Sequence, residues 1–400
     1  MVRTDDAERP HRRQAVKSIV IGGAFAQKPG RGGHSWVFLQ YLLGFRSLGW
    51  DVTFLDSLGA DAAVDETGAI VPIERSWNVR YTADVMHRFG LGGDFAILHD
   101  SGSVGLTRED VIERVRRSAA FINVMGFIKD EEVLAAAPQR VFFDIDPGFG
   151  QMWRSLGLHD AFAGHDAHVT IGENIGRPGC DVPTCGIAWI TTRQPVVLDY
   201  WTATPAAVAM TGPTTTVATW RGAYGPIEYD GRLYNLRAQE FRRFAALPKQ
   251  TGLPFTIALD IHPNDGADRA LLDANGWHAV DPLAVAGDPW RYQQFIRRSS
   301  SELMVAKGMY VTSRSGWFSD RSACYLASGK PVVAQDTGLG DLLPAGAGLL
   351  TFSTPEEAAE RMRELSADYA RHAAAARAIA EEYFESSVVL RSLIRKLSIE

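Results

Sequence analysis

Residues 313–338 read SRSGWFSDRSACYLASGKPVVAQDTG. Gly316 lies in a short loop that feeds a helix starting at Ser319 or Asp320, both favourable N-caps. The predicted helix runs from Asp320 to Ala327 and stops at Gly329. Lys330-Pro331 then leads into a buried strand, Pro331 to Ala334. The start of such a helix presents free backbone N–H groups and the positive end of its dipole, which suits a diphosphate. Lys307, Arg314 and Arg321 lie close in sequence and add positive charge. The same string also fits an ordinary capped helix between two strands of an α/β domain.

The flanking sequence repeats this alternation. Strands are expected at Thr214 to Thr219, Phe255 to Asp260, Trp277 to Val280 and Glu302 to Ala306. Helices are expected at Leu236 to Leu247, Asp268 to Ala274 and Trp290 to Arg298. Pro355 to Phe384 reads as one long helix or a kinked pair, and Val388 to Leu397 as a last amphipathic helix. Residues 172–205 break the rhythm with Gly172, Gly176, Pro178, Gly179, Pro183, Gly186 and Pro195, and read as an interdomain connection.

Upstream, Ser18 to Ile21 is a short apolar strand, followed by the loop Lys28-Pro29-Gly30-Arg31-Gly32-Gly33. His34 to Leu48 is a helical stretch apolar on nearly every side, the mark of a buried helix, and Trp50 to Leu55 is the next strand. Further strands at Phe95 to Leu98, Ala119 to Val124, Gln139 to Ile145 and His168 to Ile171, with a helix at Arg108 to Arg117, extend a parallel sheet. The expected fold is therefore α/β: two doubly wound, Rossmann-like domains, 17–204 and 205–385, facing each other across a cleft. Residues 1–16 are expected to be a disordered tail, and 386–400 a C-terminal helix able to pack back on the first domain.

Composition bounds the function. The 400 residues carry a formal net charge of -6, with 46% hydrophobic and 22% charged residues. An acidic balance argues against general nucleic-acid binding and against an anionic-membrane surface. Three cysteines, Cys180, Cys185 and Cys324, do not make a disulfide framework. With no run near the ~18 apolar residues of a spanning helix, a cytoplasmic location and no membrane span are expected.

The string YLASGKPVVAQDTG resembles the nucleotide-sugar-binding signature of GT-B glycosyltransferases, families 1 and 4 in type. GWFSDRS is similar to the start of the donor helix in their small-molecule members, and GRGGH to the glycine loop that opens their first helix. The resemblance implies a glycosyltransferase that takes a nucleotide-diphosphate sugar as donor and needs no cofactor or metal. It implies an acceptor that is a small molecule. It places the donor against Gly32, Gly33, Lys307, Arg314, Ser315, Gly316, Trp317, Phe318, Ser319, Asp320, Arg321, Asp336, Thr337 and Gly338. It makes His34, at the first turn of the first helix, the general base of an inverting displacement. Asp100, just after a strand, is the candidate partner for the other imidazole nitrogen. Many of these enzymes keep a ribose-binding glutamate where this chain has Cys324, so the paired glutamates of retaining relatives are absent.

Other readings stay open at this level. Asp144-Ile145-Asp146 ends a strand and is also the metal motif of GT-A glycosyltransferases; on the leading reading Asp146, Glu173 and Asn174 line the acceptor side. A nucleotide-sugar epimerase, a retaining transferase and a non-catalytic binder of nucleotides or sugars use the same architecture.

Overall fold

The computed structural model describes residues 17–100, 102–222 and 224–400, so the expected tail at 1–16 lies outside the described residues. Two parallel sheets organise the chain. The first contains β1 (Ser18–Gly22), β2 (Asp51–Ser57), β3 (Phe95–His99), β4 (Gly102–Gly105), β5 (Phe121–Val124), β6 (Arg140–Asp144), β7 (Ala167–Thr170) and β8 (Ile190–Thr191), in the order β4-β3-β2-β1-β5-β6-β7-β8. Only β4 runs antiparallel to its neighbour. The second contains β9 (Thr214–Thr219), β12 (Phe255–Asp260), β13 (Trp277–Val280), β14 (Ser301–Met304), β15 (Val332–Gln335) and β16 (Leu349–Phe352), in the order β13-β12-β9-β14-β15-β16. Between β9 and β12 lies a separate hairpin, β10 (Ile227–Tyr229) and β11 (Arg232–Tyr234).

Each sheet reverses its direction of growth once, beside β1 in the first and beside β9 in the second. Open α/β sheets bind ligands in the crevice beyond the strand ends at that reversal. The two crevices face each other because the domains are joined in several places. The passage expected to be irregular includes β8 and then runs beside the end of the chain: Val196 N–H donates to the Phe384 carbonyl at 2.7 Å, and Ser386 N–H donates to Val196 at 2.9 Å. The last helix, Ser386–Leu397, packs on the first helix, Gly32–Ser47. A Cβ at Gly44 would stand 2.6 Å from Leu390.

The first helix is apolar on nearly all sides because it is covered on all sides. Its N-terminus abuts the second domain, where the Trp36 indole donates to the Pro289 carbonyl at 2.9 Å. Gly32 is required by this approach, since a Cβ there would lie 2.1 Å from the Asp288 carbonyl oxygen. The hairpin also bridges the domains. Asp230 and Gly231 both take positive φ, the conformation of a tight two-residue turn. Arg232 pairs with Asp181 at 2.6 Å, and the Tyr229 and Ser155 hydroxyls lie 3.1 Å apart. The stretch 355–384 is a broken rod: Pro355–Ala367 ends at Asp368, which starts Tyr369–Ile379.

Candidate functional site

A cleft of about 1210 Å³ lies between the two crevices. On the first-domain side it is lined by 27–34, Met125, Phe127, Asp146 and Phe149. On the second-domain side the lining includes Thr219, Tyr224, Arg237, Asp260, Leu283, Lys307, Tyr310, Trp317, Asp320 and Arg321. Of the residues singled out in the sequence, Gly32, Gly33, His34, Asp146, Lys307, Trp317, Asp320 and Arg321 meet here.

The others do different work. Asn174 ties the domains together outside the cleft: its N–H donates to the Ser315 carbonyl at 3.0 Å, and its amide donates to the Arg314 and Gly338 carbonyls at 3.0 and 2.8 Å. Gly316 and Gly338 both take positive φ there, and a Cβ on either would crowd Asn174. Asp336 folds its own loop, accepting from the N–H groups of Gly338 and Leu339 at 2.9 and 3.0 Å. Thr337 donates to the Trp317 carbonyl at 2.6 Å. Ser315 and Phe318 are buried, and Phe318 packs against Phe384. Ser319 caps the donor helix, accepting from Arg321 N–H at 3.2 Å. Glu173 pairs with Arg193 at 2.7 Å. Cys324, at the ribose position, is buried and accepts from the Gln40 amide of the first helix at 3.7 Å.

The Asp-x-Asp pair is occupied by protein groups. Asp144 is buried and accepts from Gln151 and Thr170 at 2.7 and 2.9 Å; burial raises its pKa to about 6 against those bonds. Asp146 crosses the cleft to Lys307 at 2.5 Å and accepts from the Tyr310 hydroxyl. The Tyr310 ring stacks on Trp317 with centroids 4.2 Å apart.

His34 is half-buried, and its Nε2 meets the Ala24 carbonyl at 3.0 Å. A carbonyl can only accept, so Nε2 carries the proton and Nδ1 is the basic nitrogen. Burial and then the charge of Lys28 depress the His34 pKa to about 3. Its charged neighbours, Lys28 and Arg31, are cations. Asp100 is exposed at the turn between β3 and β4, outside the cleft lining, so the expected His34–Asp100 pair is not formed.

Several residues here were not anticipated from sequence. Arg237 opens the helix Arg237–Arg243, lines the cleft and has a buried Nε with no hydrogen-bond partner among the described residues. Burial, then the charge of Arg321, lowers its pKa to about 10. A cation in a helix's first turn opposes the helix dipole, and that misplaced charge was the available signal. Asp56, fully buried at the end of β2, receives the Ala26 N–H and the Gln27 amide, the latter at 3.0 Å. Asn78 donates to the Ala26 carbonyl at 2.8 Å. Together they pin the glycine loop from beneath. Arg31 reaches from that loop to Asp260 at 2.7 Å across the cleft.

Comparison with known proteins agrees with this fold. A glycosyl transferase-like family model matches residues 243–389. An α-glucosyltransferase solved with UDP-glucose and DNA containing an abasic site shares the fold with a TM-score of 0.57 at 12% identity, over 96% of this chain and 99% of that one. An α-glucosyltransferase with UDP and a 13-mer DNA containing an HMU base matches at 0.56 and 12%, over 96% of this chain and 100% of that one. Anabaena HepE with UDP-glucose matches at 0.56 and 11%, over 95% and 99%. No curated protein matches the sequence significantly. The chain has the GT-B fold and carries a glycosyl transferase-like domain.

The expected small-molecule acceptor and the exclusion of nucleic acid are corrected. Similar structures hold DNA beside the donor nucleotide. The physical flaw lies in the use of net charge, which sums the whole surface. The cleft has its own balance: Lys28, Arg31, Arg221, Arg237, Arg269, Lys307 and Arg321 stand against Asp146, Asp260, Asp281 and Asp320 among its lining residues. Among the described residues no helix is long and apolar enough to cross a membrane.

Proposed function

We propose that this glycosyltransferase takes its sugar from a UDP-sugar of the UDP-glucose type. The diphosphate would lie at the second-domain reversal, between Arg237, Lys307 and the start of the donor helix Asp320–Ala327. The observation that carries this is Arg237, a cleft arginine whose buried Nε has no partner. A buried N–H left unpaired is costly, and an incoming anion satisfies it. The solved UDP complexes of the same fold supply the uridine nucleotide. The test is UDP release from UDP-glucose, with binding of UDP and uridine measured alongside. Wild-type protein that binds neither and releases no UDP would end this reading.

The acceptor would sit on the first-domain wall. There Phe127 offers an aromatic face, and the Lys28 ammonium lies 6.0 Å above its ring. Aromatic faces interleaved with cations suit a base beside a phosphate, so a nucleic acid is the acceptor class to assay first. Incorporation of labelled glucose into DNA or RNA would support it, and no incorporation alongside steady UDP release would remove it.

In this reading His34 acts in its neutral form. Proton transfer works best when the base has a pKa near the working pH, and a value near 3 is far from that. His34 would orient a hydroxyl through Nδ1, and the leaving diphosphate would be stabilised by the cations and the helix end.

A further inference from the structure

The donor crevice holds two arginines in opposite states. Arg321, the second residue of the donor helix, is buried and tied on two sides. Its Nε donates to Oε1 of Glu302 on β14, and its Nη1 donates to the Val217 carbonyl of β9 at 2.8 Å. Glu302 has no exposed surface, and its Oε2 has no hydrogen-bond partner among the described residues. Arg237 lines the same cleft with its Nε unpaired. The two guanidinium groups are close enough that the charge of Arg321 disfavours that of Arg237.

Stability alone does not account for Glu302. Replacing a buried ion pair with apolar side chains of similar volume is often neutral or stabilising. A carboxylate that uses one oxygen and leaves the other bare is a poor stabiliser. What Glu302 does well is fix orientation: with the Val217 carbonyl it holds two corners of a planar fork, and the third can point in only one direction.

We propose that Glu302 is a positioning residue for the donor, locking Arg321 so that its remaining edge and Arg237 form a two-arginine clamp on the diphosphate oxygens. This deepens the UDP-sugar reading and rests on it. Two like charges held near each other favour an anion between them, because the anion removes their repulsion and accepts from both. Glu302 offsets one of the two charges beforehand, so the empty crevice can stay folded.

Calorimetric binding of UDP and of uridine isolates the diphosphate contribution. In the double variant Glu302→Leu/Arg321→Met, UDP affinity should fall roughly 10- to 100-fold, the worth of one or two charge-assisted hydrogen bonds. Uridine affinity should hold, and the melting temperature should not drop. The single variant Glu302→Asp, with Arg321 in place, should retain part of the UDP preference. Should the double variant fail to fold, Arg321→Lys carries the test: it keeps the charge but cannot hold all three corners, and the same loss of UDP preference is expected. A folded variant that still prefers UDP over uridine as wild type does would overturn the clamp. If wild type binds neither UDP nor uridine, it is the donor reading that fails. Inorganic pyrophosphate then decides the clamp: binding to wild type that the variant loses supports it, and equal binding, or none to either, overturns it.

Discussion

The two crevices sit at equivalent places in similar sheets, yet they handle charge in opposite ways. In the first domain the polar groups below the glycine loop are satisfied: Asp56 receives Ala26 and Gln27, Asn78 holds Ala26, and His34 is kept neutral against Ala24. In the second domain Arg237 is left without a partner for its Nε and Glu302 keeps a bare oxygen. Satisfied polar groups make a rigid wall, whereas unsatisfied ones make a site awaiting a ligand. On the proposed reading the first crevice positions and the second captures the anion.

The contrast breaks most sharply at Arg237. Arg237→Met should lower kcat/KM for UDP-glucose about 10²- to 10³-fold, the usual effect of removing one donor to a developing anion. A fall below threefold in steady-state assays would place the diphosphate elsewhere. Asp146 comes next, because it links the crevices through Lys307 and Tyr310. Asp146→Asn should cost about 1–3 kcal/mol in denaturant unfolding, since it removes the negative charge facing Lys307 and leaves one acceptor oxygen for two donors. Unchanged stability would mean that the bridge is idle.

His34→Asn should slow turnover about tenfold or less, where the loss of a true general base is worth about 10²–10⁴. Its pH signature runs with a defined sign. The folded-state pKa lies near 3, below the ordinary 6.5, so the folded protein binds fewer protons between these values. The stability associated with neutral His34 is complete above pH ~6.5 and is lost as pH falls toward 3. Asp56 acts oppositely: burial raises its pKa from 3.8 to about 7, so its contribution is complete below pH ~4 and is lost as pH rises through 7. Melting curves from pH 4 to 7 should show His34→Asn losing less stability on acidification than wild type. Parallel curves would contradict the buried neutral imidazole. The smallest effect is expected at Arg31–Asp260, a pair with side chains 48% and 42% exposed. Arg31→Gln should change stability by about 0–1 kcal/mol, less at high salt.

Local features were legible in the sequence. The strands Thr214–Thr219, Phe255–Asp260 and Trp277–Val280 and the helices Arg108–Arg117 and Asp320–Ala327 fall where period and caps placed them. Those signals act within a few residues, so they survive without tertiary context. The Asp230-Gly231 turn is an equally local signal, yet the hairpin it closes was not among the expected elements. The site residues were harder because their roles depend on contacts between distant segments. Asp336, Gly338 and Asn174 look like a ligand loop and an acceptor residue, yet they fold together into a tether 164 residues apart in sequence. Asp100 follows a strand of the first sheet, yet it is exposed and not among the residues that line the cleft. Arg237, Glu302 and Asp56 carry no motif; only the polarity of a charged group in an apolar strand or at the wrong end of a helix marks them.

The central claim, that the donor diphosphate belongs to the second crevice, is tested most directly by a structure of the protein with UDP bound. The account predicts phosphoryl oxygens about 3 Å from the Arg237 guanidinium and the Lys307 ammonium, beside the start of Asp320–Ala327. A diphosphate seated instead on the glycine loop at Gly32 and Gly33, with Arg237 still unpaired, would contradict it.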